Sequence, residues 1–265
     1  MRRLIALTLI VVVNALALGH PLALAQATLV VDSTADEVDA SPGDGLCASA
    51  AGACTLRAAI QEANALPGPD TIHLPAATYR LTLAGPLEDA AAAGDLDVTD
   101  DLLLVGVGAS ETIIDGNGVV LTDRVFEIIA SLVEISGVTI RNGRSFGDGG
   151  GILVTAGGQL VLGESVVANN LGNANGGGIH VAEGAATLRA STVSHNTASN
   201  GGGLANAALL ILSGSSVHHN VATQGGGIYS TGTLEMDDTT VASNSAHRGA
   251  GIFAGGPTSI TGSRL

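Results

Sequence analysis

The chain has 265 residues, a formal net charge of −14 and 38 glycines, and it contains no lysine. An acidic surface without lysine repels nucleic acid, and it repels anionic polysaccharide unless cations bridge the two, so we expect no nucleic-acid partner. Aromatic residues make up only 2% of the chain, which argues against a surface that binds sugars or bases mainly by stacking.

Residues 1–25 have the pattern of a secretory signal peptide. Arginines at the second and third positions precede an apolar run from Leu4 to Val13, and Ala23-Leu24-Ala25 forms a small-residue cleavage site. The segment is too short to span a membrane, and no later stretch of the sequence is long and apolar enough to do so. We therefore predict a mature chain that is secreted or displayed on the cell surface.

Residues 26–69 are predicted to form an N-terminal cap region. Cys47 and Cys54 are the only cysteines, and an even pair in an exported chain predicts a disulfide. Two thiolates without a nearby histidine make a poor metal site. The acidic stretch from Asp32 to Gly45 lacks the D-x-[DN]-x-[DN]-G pattern of a calcium loop. We therefore assign no cofactor, and calcium stays open as the alternative.

A short helix is predicted at about residues 55–65. Thr55 is a suitable N-cap, and Leu56, Ile60 and Ala63 fall on one face. The first coil of a solenoid exposes apolar side chains and unpaired strand edges. This amphipathic helix is therefore predicted to cap that end of the following domain.

Residues 70–265 consist of strand-like segments that become a regular repeat. Gly-Gly-Gly occurs at 149–151, 176–178, 201–203 and 225–227, and the apolar residue that follows recurs after 27, 25 and 24 residues. A period in the twenties, with alternation inside each unit, is typical of a solenoid built from short strands. Glycine supplies the positive φ angles that the corners require.

A second phrase recurs between the glycine runs, with alternating apolar residues, a hydroxyl, a valine and an asparagine. The asparagines are Asn170, Asn196, Asn220 and Asn244. Strands of successive coils stack about 4.8 Å apart, so residues in equal phase form columns. We predict an all-β fold, a parallel β-helix solenoid, in which these four asparagines form a structural ladder.

The repeat stops partway through a unit. Ile260, Ser263 and Leu265 each lie 24 residues after an equivalent residue of the preceding unit, and the chain ends before the next ladder asparagine. Solenoids need capped ends. We therefore predict that the solenoid is truncated in the middle of a coil, or that a partner covers its end.

Two stretches resemble known families. Asp44-Gly45-x-Cys47 with Cys54-Thr55-Leu56-Arg57-Ala58 resembles the CSLREA domain, although Thr55 replaces its serine and Ala58 its glutamate. The glycine and asparagine units are similar to repeats of chlamydial polymorphic outer-membrane proteins and to right-handed β-helices of the pectin-lyase-like fold. The resemblance implies a right-handed solenoid on an exported or outer-membrane surface protein. Some relatives with this fold are polysaccharide lyases.

Chemistry of the pectate-lyase type needs clustered carboxylates for calcium and a basic residue that accepts a proton. The candidate acids are Asp95, Asp97, Asp100, Asp101, Asp237 and Asp238, and the candidate bases are Arg141, Arg144 and Arg189. The sequence places no arginine beside Asp95 and Asp97, so we interpret these acids as solvent-facing charge. Of the polygalacturonase motifs only Asp-Asp pairs occur. We therefore assign no catalytic residue.

The histidines His195 and His219 lie 24 residues apart, each directly before a ladder asparagine, and His218 is adjacent. They are predicted to stack on neighbouring coils and to face outward, where imidazoles can bind a metal. Asn169 and Ser243 hold the equivalent positions in other coils, which indicates a variable surface position, so we assign no metal site. The glycine runs lack the features of phosphate-binding loops.

The leading hypothesis is an exported or cell-surface β-helix scaffold, adhesin-like and without catalytic activity of its own. The alternative is a polysaccharide lyase or glycoside hydrolase on the same fold. The expected partner is an extracellular or surface molecule, with polysaccharide among the candidates.

Overall fold

The computed structural model describes residues 26–85, 88–120 and 122–265. The predicted signal peptide lies outside these residues and stays a prediction. Among the described residues, no helix has both the length and the apolar composition needed to cross a membrane.

The described part of the chain consists of one helix and many short strands. Its N-terminal elements are β1 (Thr28–Val30), α1 (Leu56–Ala65), β2 (Asp70–Leu74), β3 (Ala77–Arg80), β4 (Leu96–Val98), β5 (Leu102–Gly106), β6 (Thr112–Asp115), β7 (Phe126–Ile129), β8 (Leu132–Ser136), β9 (Thr139–Arg141) and β10 (Arg144–Ser145). The next are β11 (Ile152–Thr155), β12 (Gln159–Gly163), β13 (Val166–Ala168), β14 (Leu171–Gly172), β15 (Ile179–Val181), β16 (Ala185–Arg189), β17 (Thr192–Ser194) and β18 (Leu204–Asn206). The last are β19 (Leu209–Ser213), β20 (Ser216–His218), β21 (Val221–Gln224), β22 (Ile228–Ser230), β23 (Thr233–Asp237), β24 (Thr240–Ala242), β25 (Ser245–Arg248), β26 (Ile252–Ala254) and β27 (Thr258–Thr261).

These strands form three long parallel sheets that run along the solenoid. Their strand orders are β1-β2-β5-β8-β12-β16-β19-β23-β27, β4-β7-β11-β15-β18-β22-β26 and β3-β6-β9-β13-β17-β20-β24. The short pairs β10-β14 and β21-β25 extend a corner. Because each strand pairs with its equivalent in the next coil, the predicted all-β parallel solenoid is confirmed. The strand β1 of the cap region joins the first sheet by pairing with β2.

Columns of like apolar residues fill the interior between the sheets. Leu162, Leu188 and Leu212 pair in register, and each is 0% exposed. Val167 and Val193 form a second such column. Burial of these side chains is the main favourable contribution to folding, because it removes apolar surface from water in every coil.

The four predicted ladder asparagines lie in one column, in which Asn170, Asn196 and Asn220 are buried and Asn244 is half-buried. The Nδ2 of Asn170 donates to Asn196 Oδ1 at 3.0 Å, that of Asn196 to Asn220 Oδ1 at 3.1 Å, and that of Asn220 to Asn244 Oδ1 at 3.0 Å. Each Oδ1 also accepts from the backbone N–H of the preceding asparagine in the column. The ladder therefore connects side chains and backbone of successive coils.

The helix α1 begins at the predicted N-cap, since Thr55 Oγ1 accepts from Ala58 N at 3.1 Å. The structure differs from a simple amphipathic cap, because residues 56–63 are all buried. The acidic loop covers the second face, with Glu62 accepting from the backbone N–H groups of Gly43 and Gly45. Cys47 and Cys54 form a disulfide within this region.

Candidate functional site

A group of three carboxylates lies on the outer face of the sheet that contains β4 and β7. Asp95 directly precedes β4 and Asp97 lies within it, so the alternation of a strand turns both side chains to the same face. Glu127 in β7 pairs in register with Asp97. One carboxylate oxygen from each of the three residues lies within 4.8 Å of the other two. We call these three residues the carboxylate cluster.

The cluster is covered, and the interpretation of Asp95 and Asp97 as solvent-facing charge is wrong. Asp95 is 3% exposed and Asp97 is 0% exposed. The segment before β4 folds back over the strand, so that Ala91 N donates to Asp97 Oδ2 at 2.9 Å. Its alanines are small enough to pack closely there, and Ala91 is 0% exposed. The alanine-rich segment before β4, which has the sequence of a loop, therefore covers the carboxylate cluster, and we call it the roof of the cluster.

Arg124 supplies the positive charge beside the cluster, and it was not among the predicted bases. Its Nη1 donates to Asp95 Oδ2 at 3.1 Å and also contacts Glu127. The predicted bases lie elsewhere. Arg141 pairs with Asp115, while Arg144 and Arg189 are exposed.

Sequence reasoning missed both Arg124 and Glu127. Glu127 follows Asp97 by 30 residues, outside the regular 24- to 27-residue rhythm, so the spacing did not predict that these two residues pair. The spacing Arg124-x-x-Glu127 was the one available signal.

Burial disfavours the ionised form of these carboxyl groups and therefore raises their pKa values. It raises the pKa of Asp95 to about 8, and the neighbouring carboxylates of Asp123 and Asp97 reinforce the effect against the opposing charge of Arg124. Burial also raises the pKa of Asp97 to about 7, although the Ala91 N–H lowers it. The pKa of Glu127 is raised by burial too. At neutral pH and without a bound cation, Asp95 and part of the Asp97 population therefore keep a proton that ordinary aspartates have lost.

The cluster adjoins a cavity of about 470 Å³. Leu153 and the 68% exposed Phe146 supply apolar lining. The charged residues of the lining are Glu88, Asp89, Asp95, Asp123, Arg124 and Glu127. A volume of this order accommodates a small ligand or a unit of a polymer. The arrangement offers proton donors, carboxylate oxygens and one guanidinium to such a ligand.

A continuous outward row leads away from the cluster along the same sheet. In register from coil to coil it consists of Asp97, Glu127, Leu153, His180, Ala205, Tyr229 and Phe253. Tyr229 and Phe253 stack with ring centroids 5.2 Å apart. Six steps of about 4.8 Å give the row a length of about 29 Å. Two of the chain's few aromatic side chains therefore lie on the same face as the cluster.

Residues 117–265 match the family model described as right-handed beta helix region. The chain belongs to this right-handed β-helix family. No curated protein and no solved structure matches the chain. The match agrees with the predicted hand of the solenoid, and it does not extend to the CSLREA resemblance.

The remaining predicted acids of this β-helix do not form a second cluster in the described part of the chain. Asp101 Oδ1 accepts from Leu132 N at 2.8 Å, and Asp100 Oδ1 accepts from Asp101 N at 2.8 Å. Both residues thus stabilise a turn between coils. Asp237 and Asp238 are exposed at the end of β23.

The three predicted histidines lie together at one corner of the β-helix. The rings of His195 and His219 stack with centroids 5.1 Å apart, and His218 Nδ1 lies 2.8 Å from His219 Nδ1. His195 and His219 have φ angles of 58° and 55°, as do Asn169 and Ser243 at 57° and 53°. The position before each ladder asparagine is therefore a corner at which the backbone adopts the left-handed conformation.

The raised pKa of Asp97 predicts a pH dependence of stability. The Asp97 carboxyl ionises near pH 4 in the unfolded chain and near pH 7 in the folded chain. The contribution of Asp97 to the free energy of unfolding therefore falls as the pH rises from 4 to 7. We expect Asp97→Asn to become progressively more stable than the wild type between pH 4 and 7, measured by thermal unfolding in metal-free buffer. Asp237→Asn, at an exposed position, is the control and should follow the wild type. A constant difference across the window would contradict the prediction.

Proposed function

We propose that this chain is an exported or cell-surface β-helix that acts as an elongated, adhesin-like scaffold without its own catalytic activity. The observation that carries the proposal is the asparagine ladder, which links four successive coils through side chain and backbone. Such continuous bonding favours a stiff body that can present a long surface. The predicted signal peptide, the disulfide and the resemblance to surface proteins support export.

The outward row is the surface that we propose for partner binding. Asp97, His180 and Ala205 of this row are buried, so its accessible part includes Leu153, Tyr229 and Phe253. The two stacked aromatic rings offer an apolar face to sugar rings. The acidic chain disfavours direct contact with anionic polymers. A neutral extracellular polysaccharide, or an anionic one bridged by cations, is therefore the partner class that this surface fits best.

A panel of neutral and acidic polysaccharides tests the scaffold. We expect retention of the full chain on at least one polymer, with no release of reducing ends or unsaturated products. Tyr229→Ala should weaken retention about tenfold, in line with the about 1–1.5 kcal/mol of an aromatic contact. Val221→Ala, exposed on another strand, is the matched control. Measurable turnover, or no retention by any polymer, would contradict the scaffold.

A second function is favoured by the cavity beside the carboxylate cluster. We infer a polysaccharide lyase or glycoside hydrolase as the alternative, because a buried carboxyl group next to a second carboxylate and an arginine can donate a proton to a leaving oxygen. Asp95, which lines the cavity and has a pKa of about 8, would be the acid. If turnover is found, Asp95→Asn should lower kcat by about 10²- to 10⁴-fold. An unchanged rate in this variant would remove the alternative.

A further inference from the structure

We propose that Asp95, Asp97 and Glu127 hold one hard divalent cation, of the class to which Ca²⁺ belongs. The geometry of the cluster carries this proposal. One oxygen from each carboxylate lies within 4.8 Å of the others. Oxygens that share a Ca²⁺ at about 2.3–2.6 Å are at most about 5 Å apart, so a single ion can reach all three.

The second observation is an unsatisfied oxygen inside the cluster. Asp97 is 0% exposed and its Oδ2 accepts from Ala91 N, whereas its Oδ1 is buried without a hydrogen-bond partner among the described residues. A buried acceptor without a donor is costly, and such groups in folded proteins usually have a partner that is not a protein atom. A cation beside Asp97 Oδ1 supplies that partner.

The charge around the cluster favours a cation as well. Asp95 and Glu127 share Arg124, while Asp97 makes no contact with it. Asp123 and Glu88 add further carboxylates around the same site. One guanidinium thus faces five acidic residues, and a divalent ion would relieve the excess.

The donor set also selects the class of metal. All three ligands are carboxylates, which suit Ca²⁺, Mg²⁺ or Mn²⁺ rather than soft metals that prefer sulfur. The adjoining cavity gives water access to the remaining coordination positions. Because two strands and the covering segment supply the contacts, a bound ion would connect adjacent coils to the roof. The site is compatible with the scaffold, whereas an ion held by Asp95 would prevent that carboxylate from acting as the acid of the enzyme alternative.

Calorimetric titration of the full chain with Ca²⁺, and separately with Mg²⁺ and Mn²⁺, tests the site. We expect one ion per chain, and we expect saturating ion to raise the melting temperature. Asp97→Asn should weaken the affinity at least tenfold and abolish the shift in melting temperature. Asp237→Asn, which changes the same charge at an exposed position, should bind as the wild type does.

Several outcomes would overturn the site. In one, none of the three ions at millimolar concentration gives a heat of binding or a shift in melting temperature. In another, the wild type and Asp97→Asn bind the ion with equal affinity. If Asp97→Asn fails to fold, Glu127→Gln takes its place with the same expected loss. The titration contains no polysaccharide, so its result is separate from the tests of the scaffold and of the enzyme.

Discussion

Replacing Arg57 by alanine is expected to lower the free energy of unfolding by about 3–5 kcal/mol. Arg57 is 0% exposed, and its Nε donates to Asp36 Oδ1 at 2.6 Å. Its two terminal nitrogens donate to the carbonyls of Ala91, Gly94 and Asp95 at 2.8–3.1 Å. The truncation removes the donor of three carbonyl groups and the positive charge beside the Asp36 carboxylate, which keeps only the backbone N–H groups of Thr82 and Leu83. Urea unfolding monitored by circular dichroism measures the change.

Two controls separate the effect of the planar hydrogen-bond donors of Arg57 from the effect of its positive charge. Arg57→Lys keeps the charge but not the planar set of donors, so we expect an intermediate loss. Arg189→Ala, at an exposed position, should change the free energy by less than about 0.5 kcal/mol. If Arg57→Ala unfolds at the same urea concentration as the wild type, the guanidinium does not hold the cap region to the solenoid.

The Arg57→Ala variant also tests whether the cap region supports the candidate site. The carbonyls that Arg57 holds belong to the segment that covers Asp97 and leads into Asp95. Its loss should therefore loosen the roof of the carboxylate cluster. If the cation site exists, Arg57→Ala should weaken Ca²⁺ binding even where the chain remains folded, and titration at low temperature measures this.

Replacing Asn196 by alanine is expected to cost about 2–4 kcal/mol of unfolding free energy, because it leaves several buried groups unpaired. Asn196 Oδ1 accepts from both the backbone N–H and the Nδ2 of Asn170, and Asn196 Nδ2 donates to Val167 O at 2.9 Å. Asn196 itself is 0% exposed, so water cannot replace these bonds. Chemical denaturation measures the loss.

Asn173→Ala is the matched control for the ladder, since Asn173 lies nearby and is exposed. We expect it to change stability by less than about 0.5 kcal/mol. A ladder variant as stable as this control would mean that the asparagine column contributes little to the solenoid.

The sequence by itself determined the regular part of this protein. The recurrence of the asparagine motif from Asn170 to Asn244, at intervals of 26, 24 and 24 residues, was enough to place these residues in one column. Residues in equal phase of a solenoid meet their equivalents in the next coil. The same spacing put Leu162, Leu188 and Leu212 in the interior. The boundaries of α1 and the start of β2 followed from Thr55 and Asp70, where a cap residue and a new apolar alternation are visible in the sequence.

Only the tertiary structure decided which charged residues are buried together. Asp97 and Glu127 are neighbours because two coils of irregular length align, and Arg124 reaches Asp95 and Glu127 from a corner between strands. The burial of Arg57 and Asp97 depends on two loops that fold back over α1 and β4. A repeat predicts contacts between equivalent residues, whereas contacts between a loop and a strand depend on shape and burial, which no periodic pattern encodes.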